Sequence, residues 1–557
     1  MLDISKLFLS KRNSILDALK IQENAIKYNL PKGLVIVVND DQKLIGTVTD
    51  GDIRRAMLNG RTLKSPISDM MQTNPISFPD NWSTRKILKN LPSELQKRDR
   101  NSRNFLGKII ITNEQSIPIK VVEYHQLWEY RMALHRHISV IGLGYVGLTL
   151  ALALADAGFK ITGIDIDKNK LDQLDIGKSY IHEVGLPELL REHIHTSFFV
   201  SADIPSDSDV FIISVGTPIL QSNDRGLDLK PNMNFLEAAL QTTAPKLRPG
   251  SLVILRSTVP VGTCRNYVIP MLEKLSGLKC GFDFHLAFAP ERTAEGKAIK
   301  ELRSLPQIIG GYNEDSTDAT GAIFKELTPT IVRVDSLEAA EMVKLINNSF
   351  RDYVFAYSNF IAQVAGKFNL NINEVLWAAN ERYPRNKVPF PSPGVGGPCL
   401  TKDPFIFSSV VESLGMHDHL FKMSRHINES MHQYIVEQLE EQLHKQNKKI
   451  KNTTILICGL AFKGQPETGD IRNSSSVLIL KELEKRGACV FGYDPVATDE
   501  DLSLFDIKKV NIPRGFKDME VVMFLNNHKS FEKIDVFSMV RKMAVNPIIY
   551  DGWNLFH

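Results

Sequence analysis

Cys399 lies in a setting that could make its thiol reactive. The stretch GVGGPCLTKDP, residues 394–404, places it between a run of glycines and the charged pair Lys402 and Asp403. Glycines leave the backbone open to a large ligand, and a nearby positive charge favours the thiolate form of a cysteine. Pro404 is expected to bias Asp403 away from helical geometry. We therefore predict a nucleophilic Cys399, the alternative being a buried and inert structural cysteine.

A second group of residues could bind a dinucleotide. The sequence GLGYVG, residues 142–147, follows an apolar strand and opens an Ala/Leu-rich helix, and Asp165 closes the next strand. In such a motif the first glycine permits a tight turn, the second admits a pyrophosphate and the third allows close helix packing. The aspartate accepts hydrogen bonds from ribose hydroxyls and repels a 2′-phosphate, which favours NAD over NADP. The predicted cofactor contacts are Gly142, Gly144, Tyr145, Val146, Gly147 and Asp165.

The composition is that of a multidomain globular enzyme. The chain has 557 residues, 43% of them hydrophobic and 24% charged, with a formal net charge of +3. This length predicts about three or four domains, and the absence of a basic tract argues against a nucleic-acid partner. Five scattered cysteines resemble neither a zinc site nor a disulfide framework, so we expect no metal and a cytoplasmic location. Residues 138–155 reach the length of a membrane span, but their glycines indicate a strand and a helix, so no membrane partner is expected.

The elements that must position these groups follow an alternating pattern from about residue 137. Strands are expected at ISVIGL, KITGID, VFIISV, SLVILR and HLAFAP, with helices between them. A helix-rich segment follows, and a second α/β unit opens at 453–462. The predicted fold class is α/β, with two Rossmann-like doubly wound domains bridged by a long helical connector and preceded by a small α+β pair. The expected domain limits are 1–130, 137–335, 336–440 and 450–557.

The first 130 residues contain an imperfect internal duplication. A helix, a strand, a turn and a second strand are followed by another such set, whose last strand is expected at 117–122. The arrangement resembles a tandem cystathionine-β-synthase (CBS) pair, and its first repeat carries the Gly-x-x-Thr-x-x-Asp pattern as Gly46, Thr49 and Asp52. The resemblance implies a regulatory or assembly module in which Thr49 and Asp52 hold the ribose of an adenine nucleotide. The alternative is that Asp52 caps its helix and Thr49 ends a strand; the second repeat has lost the pattern.

Further motifs stand at predicted strand ends and in the helical segment. They are SVGTP (214–218), STVP (257–260), PERTAEG (290–296), KLINN (344–348), GGPCLTKD (396–403), GLAFK (459–463) and DIR (470–472). In this order they resemble the UDP-glucose/GDP-mannose dehydrogenase family over about residues 137–557. The resemblance implies that the C6 alcohol of a nucleotide sugar is oxidised to a carboxylate with two NAD per turnover. It also implies that a thioester forms on Cys399.

The resemblance assigns expected roles to the matching residues. Lys344 and Asn348 share a helical face and are expected to stabilise an oxyanion, and Asp403 to assist proton movement near the cysteine. One or both of Glu291 and Glu295 are expected to act on the hydrolytic water; loop charges are the alternative for the glutamates. Thr258 is expected to help place that water or the substrate. The remaining expected contacts are Thr217 and Arg472 for the cofactor, and Arg385, Gly396, Lys402 and Lys463 for the substrate. Lys463 and Arg472 match positions that reach across to substrate or cofactor phosphates.

Two departures from the family pattern affect these expectations. Pro398 precedes the cysteine where many relatives have Ser or His, which removes an amide donor. Trp553 follows Asp551-Gly552 where the family often has an arginine that contacts the substrate, so that contact is in doubt.

The expected substrate follows from residues 381–385, which resemble the Arg-x-Pro-Arg variant of family members acting on N-acetylated hexosamines. An arginine there can come from the neighbouring subunit, and the apolar face of the connector helix suits a homodimer or a higher homo-oligomer. We expect oxidation of UDP-N-acetylglucosamine or UDP-N-acetylmannosamine, for a precursor of a bacterial surface polysaccharide. UDP-glucose is the alternative, ahead of GDP-mannose or a nucleotide-sensing degenerate dehydrogenase.

Overall fold

The chain forms two compact units, residues 1–135 and residues 136–557. The computed structural model describes residues 3–28, 30–80, 82, 87, 90–91, 94, 108–113, 115–123, 136–219, 229–417 and 419–556. No helix in these described ranges is both long and apolar enough to cross a membrane.

The first unit contains two three-stranded sheets of the same design. Its elements are β1 (Phe8–Ser10), α1 (Ile15–Asn24), β2 (Leu34–Val38), β3 (Leu44–Thr49), α2 (Asp50–Leu58), β4 (Ser77–Pro79), β5 (Lys108–Thr112) and β6 (Pro118–Glu123). In each sheet a short strand lies parallel to the first strand of an antiparallel hairpin. Leu34 pairs with Thr49 and Lys108 with Glu123, and both hairpins have a register shift before the turn. The predicted internal duplication is thereby confirmed in the backbone.

The second unit begins with an eight-stranded sheet in the order β14-β13-β12-β11-β10-β7-β8-β9. Its strands are β7 (His137–Ile141), β8 (Lys160–Ile164), β9 (Phe198–Ser201), β10 (Val210–Ile213), β11 (Leu252–Leu255), β12 (His285–Phe288), β13 (Gln307–Gly311) and β14 (Ile331–Arg333). Neighbouring strands are parallel except β12 and β13, which are antiparallel. The helices are α3 (Tyr145–Ala157), α4 (Lys168–Asp175), α5 (Leu186–His193), α6 (Asn234–Thr243), α7 (Ile269–Ser276), α8 (Ala298–Ser304) and α9 (Glu314–Phe324). The central strands are continuous apolar runs because helices cover both faces of a parallel sheet.

A helical segment follows the sheet. It consists of α10 (Leu337–Lys367), α11 (Ile372–Asn380), α12 (Asp403–Ser413) and α13 (Leu420–Lys445). The Ser336 side chain caps α10 by accepting a hydrogen bond from the Ala339 amide. α10 packs against α12 and α13, and the chain between α11 and α12 carries Cys399. The long connector helix is therefore the support on which the cysteine loop is built.

The C-terminal part is a four-stranded parallel sheet in the order β16-β15-β17-β18. Its elements are β15 (Thr454–Cys458), α14 (Ser475–Lys485), β16 (Cys489–Tyr493), α15 (Asp499–Ser503), β17 (Val521–Phe524), α16 (Val536–Val540) and β18 (Ile548–Asp551). One apolar core joins this sheet to α13 and α14, with Ile435, Leu439 and Leu480 all buried. The α/β fold class is confirmed, with one mostly parallel sheet, one parallel sheet and a helical connector.

Candidate active site

A cavity of about 410 Å³ opens between the large sheet, α10, the cysteine loop and the C-terminal sheet. It is lined by Arg292, Thr293, Ala294, Glu295, Lys344, Asn347, Asn348, Phe350, Arg351, Gly396, Gly397, Pro398, Cys399, Leu400, Phe462, Lys463, Gln465 and Pro466. Seven predicted site or departure residues thus meet in one place, among them Glu295, Lys344, Asn348, Cys399 and Lys463.

The thiol of Cys399 is accessible from this cavity. Burial among the surrounding protein atoms raises the pKa of the Cys399 thiol, and the positive charge of Lys344 opposes that rise. Formation of the Cys399 thiolate is therefore favoured by a protonated Lys344 in the cavity wall, and a nearby positive charge of this kind is typical of reactive cysteines.

Two glycines of the cysteine loop allow the C-terminal domain to pack closely against it. Gly397 has a φ of +93°, and a side chain there would overlap the ring of Phe462. A side chain on Gly396 would overlap the backbone carbonyl of Asn473, although Gly396 also lines the cavity. Both glycines also line the cavity, so their expected role in ligand access stays a prediction.

The helix after the cysteine begins at Asp403. Pro404 takes an early position in α12, where a helix has no intrahelical partner for a backbone amide. The amides of Lys402 and Asp403 both donate to the carbonyl of Cys399, at 3.1 and 2.9 Å. The expectation that Pro404 biases Asp403 away from helical geometry is wrong, because Asp403 is the first residue of α12. The steric preference of a residue before proline is overcome at this position, and a proline in the first turn loses no hydrogen bond.

Asp403 is fully buried between two donors. Asn348 Nδ2 donates to one carboxylate oxygen at 2.5 Å, and Lys402 Nζ donates to the other at 2.6 Å. Lys402 is thus paired with Asp403 and is not among the residues that line the cavity, and its expected contact with substrate stays a prediction.

Lys344 is held beside Glu291. Its Nζ donates to the Glu291 carbonyl at 2.5 Å and lies 3.7 Å from the Glu291 carboxylate. Burial lowers the pKa of Lys344, but the negative charges of Glu291, Cys399 and Asp403 outweigh it, and the pKa lies above its usual value. Lys344 therefore stays charged inside the protein, and the solvated-surface alternative is excluded by its burial.

The two glutamates of the PERTAEG loop differ in charge state. Burial raises the pKa of Glu291, yet the charges of Lys344 and Arg256 reverse the effect and leave it below its usual value. Burial and the negative charge of Asp470 raise the pKa of Glu295 from 4.5 to about 7. Glu291 is therefore held ionised, whereas Glu295 can exchange a proton near neutral pH.

The glycine-rich loop has the geometry that a bound pyrophosphate needs. Gly142 has a φ of +91°, and its amide donates to the carbonyl of Ile164 at the end of β8 at 2.8 Å, which holds the start of the turn against the sheet. A side chain on Gly147 would overlap the carbonyl of Gly142, whereas Gly144 has open space around it. Asp165 accepts a hydrogen bond from the Leu143 amide at 2.9 Å. Val146 lies half-buried in the first turn of α3. The residues present fit a dinucleotide.

Glu183 connects this loop to the cavity, and sequence reasoning missed it. The Tyr145 hydroxyl donates to the Glu183 carboxylate. The same carboxylate accepts hydrogen bonds from the amides of Gly296 and Ala298 at 2.7 and 2.9 Å. Tyr145, expected as a cofactor contact, thus reaches the segment directly after Glu295. No motif marks Glu183, because its partners are distant in the sequence.

Several predicted residues lie outside the cavity. The Thr217 hydroxyl donates to the Thr258 carbonyl at 2.6 Å, so these two residues meet after β10 and β11. Arg472 forms hydrogen bonds to both carboxylate oxygens of Asp470, and Arg385 is exposed.

Trp553, the departure near the C-terminus, donates through Nε1 to the Leu525 carbonyl at 2.9 Å. It lines a different cavity, beside Ser392 and Tyr434.

A buried network holds the approach to the cysteine loop. Arg425 donates to Asp352 Oδ1 at 2.6 Å and to the Val395 carbonyl at 3.5 Å, and both charged side chains are almost fully buried. Asn359 accepts a hydrogen bond from the Ser392 amide at 2.8 Å. The sequence shows Asp352 and Arg425 only as charges within helical segments, and nothing near either residue indicates that they pair.

In the first unit, Thr49 and Asp52 form a helix cap. Each side chain accepts a hydrogen bond from the other's backbone amide. The second carboxylate oxygen of Asp52 accepts from Arg55 at 2.5 Å and from Gln72 at 3.1 Å. The capping alternative therefore describes the observed contacts, and the adenine-nucleotide site stays a prediction.

A glycine-rich loop at the end of a strand in a mostly parallel sheet is linked through Glu183 to the loop that carries Glu295, which lines a cavity bordered by a second α/β domain. This arrangement is typical of a dinucleotide-dependent oxidoreductase. Comparison with known families agrees. Models of the UDP-glucose/GDP-mannose dehydrogenase family match residues 136–328 (NAD binding domain), 338–430 (central domain) and 456–557 (UDP binding domain). A CBS domain model matches residues 6–59. The chain belongs to the UDP-glucose/GDP-mannose dehydrogenase family, and it is an NAD-dependent nucleotide-sugar dehydrogenase.

The chain is similar to individual relatives over nearly the whole length of each relative. The chain is 34% identical over 422 residues to the UDP-N-acetyl-D-mannosamine dehydrogenase of Pyrococcus horikoshii, covering 75% of this chain and 95% of the relative. A solved structure of a UDP-D-ManNAc dehydrogenase from Pyrococcus horikoshii is 31% identical with a TM-score of 0.68, covering 76% of this chain and 96% of that one. A UDP-glucose dehydrogenase structure from Pyrobaculum islandicum is 26% identical with a TM-score of 0.67, covering 76% and 95%.

Proposed function

We propose that this enzyme oxidises the C6 hydroxyl of a UDP-N-acetylhexosamine to the uronic acid, using two NAD per turnover. UDP-N-acetylmannosamine is the first candidate, because the relative at 34% identity bears that substrate in its name. The observation that carries the reaction is the accessible Cys399 thiol in one cavity with Lys344, Asn348 and Glu295. The product would be a precursor of a bacterial surface polysaccharide.

The first oxidation would convert the C6 alcohol to an aldehyde, with the hydride passing to bound NAD and the hydroxyl proton passing to solvent. The Cys399 thiolate then adds to the aldehyde carbon, forming a carbon–sulfur bond and a thiohemiacetal. Lys344 and Asn348 donate hydrogen bonds to the oxygen as its negative charge develops. Asp403, which already accepts from Asn348, orients that amide. Transfer of the second hydride to a second NAD would restore the carbonyl and leave a thioester on Cys399.

Water then releases the acid from the thioester. Glu295 takes a proton from the attacking water, because its pKa of about 7 matches the task of a base at neutral pH. The water oxygen joins the carbonyl carbon, the carbon–sulfur bond breaks and the thiol returns. Glu291 stays ionised and keeps Lys344 in place, and Thr258 helps to place the substrate. This assignment divides between the two glutamates the roles that sequence left open.

A homodimer would complete the site. Six residues of α10 at alternating spacings of four and three form an exposed apolar seam, and they are Ile346, Phe350, Tyr353, Tyr357, Phe360 and Val364. This is the spacing of a helix-pairing surface. Phe350 belongs both to the seam and to the cavity wall. A second copy on the seam would therefore lie beside the cavity, where its exposed Arg385 would contact the substrate.

The test is a panel of nucleotide sugars monitored by NADH production. Purified enzyme is incubated with UDP-N-acetylmannosamine, UDP-N-acetylglucosamine, UDP-glucose or GDP-mannose and excess NAD. We expect two NADH per sugar and a uronic acid from an N-acetylhexosamine. UDP-glucose is the second candidate, because a UDP-glucose dehydrogenase is structurally similar to this chain. One NADH per sugar with free aldehyde would show that the thioester pathway is wrong.

The CBS domain keeps its predicted role as a nucleotide-responsive module. AMP, ADP and ATP are titrated into the full chain by calorimetry and tested for an effect on NADH production. Binding that is lost in Asp52→Ala would support the role. Failure of all three nucleotides to bind leaves Thr49 and Asp52 as a helix cap alone.

A further inference from the structure

Four cationic side chains line the cavity. Among the described residues, Arg351 is the one of these four whose side chain has no hydrogen-bond or ion-pair partner. The other three are engaged: Arg292, Lys344 and Lys463 each donate a hydrogen bond to a backbone carbonyl. An arginine left free in a binding cavity offers a planar fork of donors to an anion.

The position of Arg351 relative to the reacting end of the cavity is set by α10. Lys344, Asn348 and Arg351 follow at intervals of four and three residues, so they share one face of the helix. At 1.5 Å per residue, Arg351 lies about 10 Å along the axis from Lys344. Lys344 stands at the end where Cys399 meets the sugar C6. In a hexopyranose the diphosphate is attached at C1 and C6 is attached at C5, and both ring carbons are bonded to the ring oxygen. The phosphates of a bound nucleotide sugar would therefore lie in the same cavity as C6, whose wall includes Arg351.

Lys463 faces Arg351 from the C-terminal domain. Burial and the positive charge of Arg351 both lower the pKa of Lys463, while the charge of Glu295 raises it. Two cations from different domains therefore repel each other until an anion lies between them. Arg472, the other cation expected to bind phosphate, is already paired with Asp470 and does not line the cavity.

We infer that Arg351 binds the β-phosphate of the nucleotide sugar, opposite Lys463. The inference rests on the proposed function in taking a UDP-sugar as the substrate, but it does not depend on which sugar. The β-phosphate is the one attached to the sugar, and it is therefore the nearer phosphate to the helix face shared with Lys344. Binding would neutralise the repulsion between the two cations and draw the C-terminal domain onto α10.

The experiment compares the affinities of UDP and UMP for the wild-type enzyme and its variants by titration calorimetry. Arg351→Leu is expected to weaken UDP binding by about tenfold or more, since it removes a charge-assisted hydrogen bond. Arg351→Lys keeps the charge without the fork and is expected to lose less. UMP lacks the β-phosphate, so its affinity should change less than about twofold.

Lys367→Leu is the matched control, because it removes one exposed positive charge from the end of the same helix. Its UDP affinity should equal that of the wild type, and NAD affinity measured in every variant verifies folding. Unchanged UDP affinity in Arg351→Leu overturns the inference, as does an equal loss for UDP and UMP. A raised KM for the nucleotide sugar with unchanged UDP affinity also overturns it, because Arg351 would then contact the sugar. Neither UDP nor UMP carries a sugar, so this experiment can succeed or fail independently of the proposal that the substrate is an N-acetylhexosamine.

Discussion

The ionisation of Glu295 should control how fast the acid is released. Its pKa is raised to about 7 by burial and by the charge of Asp470. A base must be ionised to accept a proton, so acid conditions protonate Glu295 and slow hydrolysis. About one tenth of Glu295 is ionised at pH 6 and about nine tenths at pH 8. The rate of acid release should therefore rise about tenfold from pH 6 to pH 8.

Replacing Asp470 should move this pH dependence. Asp470→Asn removes a negative charge that raises the pKa of Glu295, and it also frees Arg472 from its ion pair. Both effects favour ionised Glu295, so the midpoint moves to lower pH. Charges near a protein surface interact by about 1 kcal/mol or more, which corresponds to about one pH unit. At pH 6 the variant should release acid about fivefold faster than the wild type.

Rapid mixing separates this step from the oxidations. NADH absorbance follows the two hydride transfers of the first turnover, and quenched samples follow free uronic acid. Glu295→Gln should retain the NADH burst, release acid slowly and show no rise in rate near pH 7. Asp506→Asn is the control, because it removes an exposed acid of the same domain. An unshifted midpoint in Asp470→Asn, or a persistent rise in Glu295→Gln, would refute Glu295 as the base.

Three further outcomes are expected. Cys399→Ser should form no acid while binding UDP as the wild type does, and normal turnover would exclude the nucleophile. Arg425→Met leaves Asp352 buried without its cation and should lower the free energy of unfolding by about 3–5 kcal/mol in urea titrations, because a lone buried charge is costly; a loss below about 1 kcal/mol would contradict a buried ion pair. Phe360→Glu places a charge in the apolar seam of α10 and should halve the mass measured by light scattering, whereas an unchanged mass would show that the seam is not the dimer contact.

Local patterns predicted the elements around the glycine-rich loop. The strand before Gly142 and the helix after it are each set by neighbouring residues, as are the tight turn and the close packing at Gly147. The predicted spacing of Lys344 and Asn348 on one helical face is also a local property of an α-helix. These features could be inferred because their physical causes lie within a few residues.

Other features depend on contacts between distant segments. Glu183 binds the amides of Gly296 and Ala298, and no pattern near Glu183 announces those partners. Arg472 matched a phosphate-binding position, but an aspartate two residues before it takes its charge. The sequence also did not distinguish the roles of Glu291 and Glu295. Their pKa values differ because the fold buries each of them beside different charges.

The glycines of the cysteine loop limit how far the enzyme can be divided into independent modules. Any side chain at Gly396 or Gly397 would collide with Asn473 or Phe462 of the C-terminal domain. The conformation of the loop that carries the thiol is thus constrained by contacts with a domain that begins more than fifty residues later in the chain. A fragment that ends with α13 would keep its cysteine but lose the surface that shapes it. A chimera that receives the C-terminal domain of a relative should therefore be active only when it also receives the glycine loop of that relative.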